Sequence, residues 1–426
     1  MLAGVRISIS EGLGGRVFYG WVMVAAATLI MFSSGPGQSH TFAAFNALIA
    51  EDLGLTLLQV TLAYGVATTI AAFLLPVFGR QLERFGPRRA LAVNAVALGV
   101  ACLFFGAIAN IVWLGVGFAA LRFVGQGCTM MGAANLVAQW FVVRRGFAMG
   151  IVAVGFALSI GVHPALAKFL IAEVGWRQAW VGLGLITWVS MLPVIWLLIR
   201  DKPEDMGLKP DGGRADPGDG PAPALTGATR AEALRSLSFW ICAAGLFLIA
   251  GMATTLHYHQ YNILEAQGLS TVEVTQGFFY VAMSMLVFMP LVGRGFDRFR
   301  TRYMFAAALL VQASTMVGIT FVSDYTGMVI YALAFGLNNA FSITMMGYMW
   351  PRYFGRKHLG SIQGTGQMIG VIGASVGALP VSYAIDQLGD PAGMMQVLAI
   401  LPVICAVVAV IFLKTLPQVE EAAHLD

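Results

Sequence analysis

A small number of polar side chains lie inside long apolar stretches, and their chemistry suits ligand binding. Arg122 occurs about ten residues into one such stretch, and a guanidinium can hold a carboxylate through two parallel hydrogen bonds. Asn338 and Asn339 occupy a similar depth in an apolar stretch of the second half. Further candidates for ligand contacts are His40, His257, His259 and Tyr280. Because imidazole titrates near neutral pH, the histidines could also carry a proton.

Several of these polar residues also have a structural interpretation. Arg122 could brace the helices around it. A lone polar residue near a helix end is usually satisfied by water or a backbone carbonyl, and this expectation applies to His163, Lys168 and Arg177. A bond between two helices is the simpler expectation for Gln363 and Gln367.

The composition indicates that most of the chain lies in lipid. Of 426 residues, 58% are hydrophobic and 11% are charged, whereas a soluble domain carries about 25% charged residues. Between clusters of charge run apolar stretches of about 20 residues or more, long enough to span a bilayer as a helix. The pattern predicts an all-α integral membrane protein with twelve transmembrane helices, near 18–48, 57–79, 89–109, 112–142, 146–170, 177–199, 237–264, 271–293, 303–322, 326–351, 359–385 and 392–414.

The distribution of basic residues predicts the orientation of these helices. The chain has 25 Lys and Arg residues, and all except Arg122, Lys168 and Arg177 lie in the N-terminal tail, in every second loop, in the central loop or after the last span. Because cytoplasmic loops carry an excess of Lys and Arg, both termini are predicted to be cytoplasmic. The first apolar run is too long for a cleaved signal peptide.

The central loop divides the chain into two halves. Residues 200–236 are rich in proline, glycine and charge, which is typical of a solvated linker. We therefore expect a six-helix bundle at 1–199 and a second six-helix bundle at 237–426. Within the linker, Thr229 and Glu232 have the spacing of a capping box, which predicts the start of a short helix.

One charged segment occurs twice, at corresponding places in the two halves. PVFGRQLERFGPRRAL (76–91) matches PLVGRGFDRFRTRYMF (290–305) in register, 214 residues later. Each copy follows the second predicted helix of its half. The residues shared by the two copies include Gly79, Arg80, Glu83 and Arg84 of the first and Gly293, Arg294, Asp297 and Arg298 of the second.

The two acids of this repeat predict a conformational latch. The free N–H groups and the dipole at a helix N-terminus attract a carboxylate. We expect Glu83 to reach the start of the eleventh helix and Asp297 the start of the fifth, which would hold the cytoplasmic side closed until the halves rock. In the alternative interpretation, the arginines of the repeat only fix the orientation. Glycines four residues apart predict close helix approach at Gly146/Gly150, Gly360/Gly364, Gly366/Gly370 and Gly373/Gly377.

The motifs of common enzyme classes do not occur in the sequence. Neither a nucleotide-binding P-loop nor an HExxH pattern is present, so we expect no catalytic residues, no cofactor, no resident metal and no nucleic-acid partner. Four cysteines lie far apart inside predicted helices, where they are expected to be buried thiols and not disulfides: Cys102, Cys128, Cys242 and Cys405.

The first copy of the repeated segment, from Gly79 to Arg89, resembles the loop signature of the major facilitator superfamily, roughly G-x-x-x-D-R-x-G-R-R. Glu83 stands at the position of the aspartate of that signature. Other stretches resemble the monocarboxylate-transporter-like branch, bacterial members included: FYGWVMVAAA, LRFVGQG, QWFVVRRGFAMGIVAVG, RDKPEDMGLKPDG and YFGRKHLGSIQG. The resemblance implies the transporter fold of that superfamily, with helices one and seven lining a central cavity. It also implies a monomer in the inner (plasma) membrane of a bacterium.

The sequence departs from this branch where animal members carry charges in the membrane. The first-helix lysine of those members falls within 37–39, and their eighth-helix aspartate and arginine fall on Met285 and Met289. The arginine and lysine of oxalate-type relatives are also absent. The substrate is therefore predicted to be neutral, weakly anionic, or bound through Arg122 and histidines.

Three functions agree with these observations. The first is a secondary active transporter that moves a small organic acid or related metabolite by alternating access, with or without a proton. The second is an exporter of amphipathic compounds. A related possibility is a carrier of copper(I), because thioethers and imidazoles suit that ion: Met285 and Met289 share one helix face, and His257 and His259 lie on the neighbouring span. The third is a membrane sensor that binds its ligand without transporting it.

Overall fold

The computed structural model describes residues 18–42, 44–212 and 226–416. The N-terminal tail, the middle of the predicted linker (213–225) and the C-terminal tail lie outside the described residues. The predictions for the location of both termini and for the absence of a signal peptide therefore remain predictions.

The described part of the chain is helical and contains no sheet. One isolated bridge pairs Gly227 with Gly355. In chain order the α-helices are α1 Gly20–Phe32, α2 Ser39–Phe42, α3 Asn46–Asp52, α4 Leu57–Gly106, α5 Ile111–Leu121, α6 Thr129–Trp140, α7 Arg145–Leu197, α8 Arg230–Arg235, α9 Leu237–Ala266, α10 Thr271–Arg298, α11 Thr301–Gly318, α12 Tyr325–Phe354, α13 Leu359–Val376, α14 Leu379–Tyr383, α15 Pro391–Leu398 and α16 Ile400–Phe412. Two π-helical turns, Arg122–Cys128 and Ala384–Leu388, and four 3₁₀ turns, Gly35–Gly37, Pro203–Met206, Pro210–Gly212 and Ile319–Phe321, complete the set.

Two of these helices are too long to cross a membrane once. A straight helix of 50 residues, the length of α4, would measure about 75 Å, against about 30 Å for the hydrocarbon core of a bilayer. Each long helix is broken at one glycine with positive φ: Gly86 in α4 (φ 78, ψ 160) and Gly175 in α7 (φ 78, ψ 162). Glycine adopts this conformation without steric penalty, so the chain can turn there.

Nine helices of the described residues are long and apolar enough to cross a membrane. The outer surface agrees with this, because large apolar side chains on it are exposed, for example Val189 at 75% and Phe321 at 72%. An extended apolar surface of this kind is typical of contact with lipid.

The first apolar stretch bends at Gly35–Gly37, where a proline lies between two glycines. Helix α1 ends at Phe32, and Gly35–Gly37 forms a 3₁₀ turn before α2 begins. This turn packs tightly on the π turn that follows α5, because a side chain on Gly37 would approach the Cα of Gly125 to 2.5 Å. The turn sets the position of the residues around Arg122.

The two halves of the chain meet closely at the side that carries the basic loops 79–89, 141–145, 200–212, 294–302 and 355–358, here called the basic side. A side chain on Gly79 would collide with the carbonyl oxygen of Gly360, and one on Gly146 would collide with that of Gly293. The close approach that the glycine pairs predict in the fifth and eleventh spans is therefore confirmed. The basic side of this conformation is closed.

Other local predictions are also confirmed. Thr229 and Glu232 form a capping box at the start of α8. The four cysteines are free thiols; three are buried and Cys405 is half-buried.

Candidate functional site

Arg122 begins the π turn between α5 and α6 and is buried, with 7% of its surface exposed. One terminal nitrogen, Nη1, donates a hydrogen bond of 3.1 Å to the carbonyl oxygen of Gly37. The guanidinium also lies 5.2 Å from the centre of the Tyr64 ring, a favourable position for a cation over an aromatic face. Arg122 therefore braces the bend of the first helix, as the structural interpretation of the sequence expects.

Arg122 also has a donor available for a ligand. Its Nε and the hydroxyl of Thr68 are buried and have no hydrogen-bonding partner among the described residues. Both residues line a cavity of about 10 Å³, together with Gln126 and Val371, which leaves room for about one water molecule. An unpaired buried donor is costly, so this cavity favours water or an anionic atom.

A second cavity, of about 20 Å³, shares α13 with the first. Four methionines and two glutamines contribute to its lining: Met31, Met130, Met149, Met346, Gln363 and Gln367. In the first half, Gln126 of the first cavity and Met130 of the second are four residues apart. In the second half, Val371 of the first cavity and Gln367 of the second are also four residues apart. The two cavities therefore lie along one seam between the halves. We call it the central seam.

The central seam was not found from the sequence. The available signal was the spacing of Arg122, Gln126, Met130 and Ala134, which repeats every four residues and places them on one helix face. The bond between helices that was expected of Gln363 and Gln367 is not made by their side-chain oxygens, which have no hydrogen-bonding partner in the described part of the chain.

The two asparagines have partners within their own half. The side-chain amide of Asn338 donates to Gln312 Oε1 in α11 at 2.9 Å, and that of Asn339 donates to the carbonyl oxygen of Phe335 at 2.8 Å. Neither asparagine lines the cavity at Arg122. Their contact with a ligand remains a prediction.

The candidates of α9 and α10 are dispersed. His257 is exposed, donates from Nδ1 to the carbonyl oxygen of Ala253 at 2.8 Å and packs on the Phe335 ring. His259 is buried and donates from Nε2 to the carbonyl oxygen of Ala378 at 3.2 Å. Tyr280 shares a hydroxyl hydrogen bond of 3.0 Å with Tyr325.

Met285 and Met289, the thioethers of the copper hypothesis, are buried in the apolar core, 3% and 0% exposed. The contacts given above for the two histidines of α9 are with backbone carbonyls and a phenylalanine ring. Within the described residues, no cluster of three or more His, Cys, Asp or Glu could hold a metal ion.

His40 and His163 are joined through one serine. Ser159 Oγ lies 3.2 Å from Nε2 of His40 and 3.1 Å from Nδ1 of His163. The expectation that His163 is satisfied only by water or a backbone carbonyl is therefore wrong. The ring of His163 occupies the space that a side chain on Gly35 would need. The glycine at the bend of the first helix therefore makes room for this ring.

The two acids of the repeated segment make the contacts that the sequence predicts. Glu83 Oε1 accepts a hydrogen bond of 2.6 Å from the backbone N–H of Ser361, in the first turn of α13. Asp297 accepts from the N–H of Gly146 at 2.5 Å and of Phe147 at 2.7 Å, in the first turn of α7. Each carboxylate therefore joins the two halves. Exposed positions on the same segments are occupied by Arg80, Arg84, Arg294 and Arg298.

The start of the predicted linker is attached to both halves. Both carboxylate oxygens of Asp211 accept hydrogen bonds of 2.9–3.0 Å from three successive backbone N–H groups, 142–144. Glu204 pairs at 3.2 Å with Arg356, whose side chain is 1% exposed. Interpreting this stretch as a free tether is therefore wrong for 204–211, because its acids find backbone and guanidinium donors.

Comparison with known proteins identifies the family of the chain. The profile of the Major Facilitator Superfamily matches residues 27–321 and 262–424. A protein of Cupriavidus necator described as a probable sulfoacetate transporter is 31% identical over 144 residues, 33% of each chain. The oxalate:formate antiporter of Oxalobacter formigenes is 27% identical over 186 residues, 44% of this chain and 43% of the antiporter. The chain thus spans less than half the length of these two relatives.

Solved structures resemble most of the chain. The proton:xylose symporter XylE superimposes with a TM-score of 0.69 at 13% identity, covering 96% of this chain and 99% of the symporter. The human organic anion transporter MFSD10 gives 0.68 at 12% identity, covering 92% of this chain and 99% of the transporter. At this identity the likeness shows the fold alone. The chain is a multi-pass integral membrane protein that belongs to the major facilitator superfamily of transporters and has monocarboxylate-transporter-like relatives.

Proposed function

We propose that this protein is a secondary active transporter that moves a small organic acid or related metabolite by alternating access. The observation that carries the proposal is the cavity at Arg122, where a buried guanidinium N–H and the Thr68 hydroxyl have no hydrogen-bonding partner among the described residues. A buried guanidinium that lines a small cavity beside a free hydroxyl favours a carboxylate or a similar anion.

The position of this cavity supports transport rather than binding alone. Arg122 and Thr68 belong to the first half, whereas Val371 belongs to α13 of the second half. A substrate held there would touch both halves, and alternating access requires the two halves to move against each other around a central site. The relatives named as transporters of sulfoacetate, oxalate and formate handle small acids.

The proposal includes twelve membrane spans. Dividing α4 and α7 at their glycine breaks and adding α1 to the nine long helices gives this number. The basic side would face the cytoplasm of a bacterium, with both termini on that side and the protein in its inner membrane as a monomer, because basic loops are retained in the cytoplasm.

The latch is part of the same proposal. Glu83 and Asp297 would hold the basic side closed and would leave the starts of α13 and α7 when the halves rock. The contacts of both carboxylates support this role, since they cross between the halves where Gly79 meets Gly360 and Gly146 meets Gly293.

The four methionines of the central seam favour a second candidate function. Thioether side chains adapt to varied apolar shapes, so a cavity lined by Met31, Met130, Met149 and Met346 would also suit an exporter of amphipathic compounds. For the copper(I) carrier, these residues are a more suitable set than Met285 and Met289, which are buried in the core.

Counterflow in proteoliposomes distinguishes the candidates. Purified protein is reconstituted into vesicles loaded with unlabelled formate, acetate, oxalate or sulfoacetate, and the entry of the same radiolabelled acid is followed. Saturable counterflow of at least one acid is expected. Binding without counterflow would indicate a sensor, and efflux of an amphipathic dye without any acid counterflow would indicate the exporter.

A further inference from the structure

Two histidines of the first half share one buried serine hydroxyl. His40 belongs to α2, just beyond the bend of the first helix, and is partly exposed, whereas His163 and Ser159 belong to α7 and are 3% and 0% exposed. The distances from Ser159 Oγ, 3.2 Å to His40 Nε2 and 3.1 Å to His163 Nδ1, are those of hydrogen bonds. We call these three residues the His–Ser–His relay.

The chemistry of the relay allows it to hold one additional proton. A serine hydroxyl donates one hydrogen bond and accepts two, and a neutral imidazole has one N–H and one bare nitrogen. With both imidazoles neutral, the hydroxyl donates to one ring and accepts from the other. When the hydroxyl accepts from Nε2 of His40 and donates to Nδ1 of His163, one added proton can bind the bare Nδ1 of His40 without breaking either hydrogen bond.

We propose that the His–Ser–His relay binds the proton that accompanies the transported acid. This proposal rests on the proposed function, because the proton is coupled to the anion in the cavity at Arg122. Two charged or titratable groups lie near the relay within the described residues. Arg122 on the π turn acts on His40. The hydroxyl of Tyr64 on α4 shares a hydrogen bond of 2.8 Å with Ser39, the residue before His40. The described contacts of the relay include aromatic rings, Phe32 on His163 and Phe156 on His40, but no carboxylate.

Proton transfer along the relay needs no other reactant. A protonated His40 passes its Nε2 proton to Ser159 Oγ, while the hydroxyl proton of Ser159 moves to Nδ1 of His163. One N–H and one O–H bond break, one O–H and one N–H bond form, and the positive charge moves from the partly exposed ring to the buried ring. Reversal of the same step returns the proton.

The charge of Arg122 couples this proton to the substrate. Arg122 donates a hydrogen bond to the carbonyl oxygen of Gly37, three residues before His40. The positive charge of Arg122 acts on the His40 ring. When no anion is bound at Arg122, its charge therefore disfavours a second positive charge on His40. An anion at Arg122 compensates that charge, so the acid and the proton are expected to bind together and to travel in the same direction.

The test measures coupling separately from exchange. Vesicles with an imposed pH gradient are assayed for uphill accumulation of whichever acid shows counterflow in the parent, and a trapped pH dye reports proton entry. One proton per monoanion supports up to about tenfold accumulation per pH unit. In Ser159→Ala and His163→Gln, accumulation and dye response are expected to fall to the level seen without a gradient, while counterflow persists. Ser314→Ala is the matched control, because its hydroxyl donates within its own helix, to the carbonyl oxygen of Val311.

Each other outcome overturns the inference. A parent that exchanges acid without moving protons, or variants that accumulate acid like the parent, would show that the relay is not the proton site. Loss of counterflow in both variants would show that these residues stabilise the fold or bind substrate. If the parent shows no counterflow of any acid, the proposed function itself fails, which is a distinct result.

Discussion

Neutralising both acids of the latch should open the basic side. The double variant Glu83→Gln/Asp297→Asn keeps the size of the side chains and an acceptor oxygen but removes both negative charges. The carboxylates accept three backbone hydrogen bonds of 2.5–2.7 Å at the starts of α13 and α7. These bonds exist only while the halves are in contact, so their loss shifts the balance towards the open basic side.

The size of the shift follows from these contacts. A hydrogen bond to a charged group contributes about 1.5–3 kcal/mol, and a neutral acceptor retains roughly half of this. The favourable interaction of each carboxylate with a helix N-terminus adds about 0.3–1 kcal/mol. The sum is about 3–6 kcal/mol, which corresponds to at least roughly a hundredfold change in the ratio of closed to open molecules.

The labelling rate of a reporter cysteine measures this ratio. Met149 lines the larger cavity and is 3% exposed, so Met149→Cys is protected while the basic side is closed. An impermeant thiol reagent added on the basic side should label it about tenfold faster or more in the double variant. The parent without the reporter gives the background of the four native cysteines.

A matched control removes a different charge. Glu173→Gln neutralises an exposed acid of α7 far along that helix from its start, and the labelling rate should not change. Equal labelling of the reporter in the double variant and in the parent would refute the latch.

Three further predictions concern the basic side. Gly79→Val places a side chain against the carbonyl oxygen of Gly360; the halves should no longer close, and reporter labelling should rise, whereas unchanged labelling would contradict the observed packing. Asp211→Ala removes the acceptor of three N–H groups and should lower the stability of the detergent-purified protein by about 1–3 kcal/mol, seen as a lower melting temperature. Burial raises the pKa of the Asp201 carboxyl, so its contribution to stability is fully present below the unfolded-state pKa and is lost as pH rises through the raised folded-state pKa. Asp201→Asn keeps an acceptor for the N–H of Arg88 and should make the melting temperature less dependent on pH; an unaltered pH profile would contradict this.

Features set by local chemistry could be predicted from the sequence. The bend at Gly35–Gly37 follows from proline between two glycines. The contacts of Glu83 and Asp297 follow from the in-register repeat and from the demand of a helix N-terminus for acceptors. The bend depends on adjacent residues, whereas the partners of the two acids, 278 and 151 residues away, follow from the transporter fold that the repeat resembles.

Features set by the packing of distant helices could not be predicted. Asn338 was expected near Arg122 because the two residues lie at similar depth in the membrane. Depth does not define which face of a helix is turned towards the other half. The amide of Asn338 bonds to Gln312 of its own half. The partnership of His40 with His163 depends on the rotation of α7 against the bend of the first helix. The contact of Asp211 with the N–H groups of 142–144 brings together segments about 70 residues apart, and a single sequence gives no register for such a contact.

The measurement that tests the central claim most directly is substrate affinity in Arg122 variants. Binding of the acid that shows counterflow is measured at fixed pH on purified parent, Arg122→Gln and Arg122→Lys. Loss of the charged hydrogen bond in Arg122→Gln should weaken binding by about 1–3 kcal/mol, or roughly five- to 150-fold. Arg122→Lys should restore only part of this, because lysine lacks the planar fork. Equal affinity of Arg122→Gln and the parent, in folded protein, would show that Arg122 only braces the bend at Gly37 and that the substrate binds elsewhere.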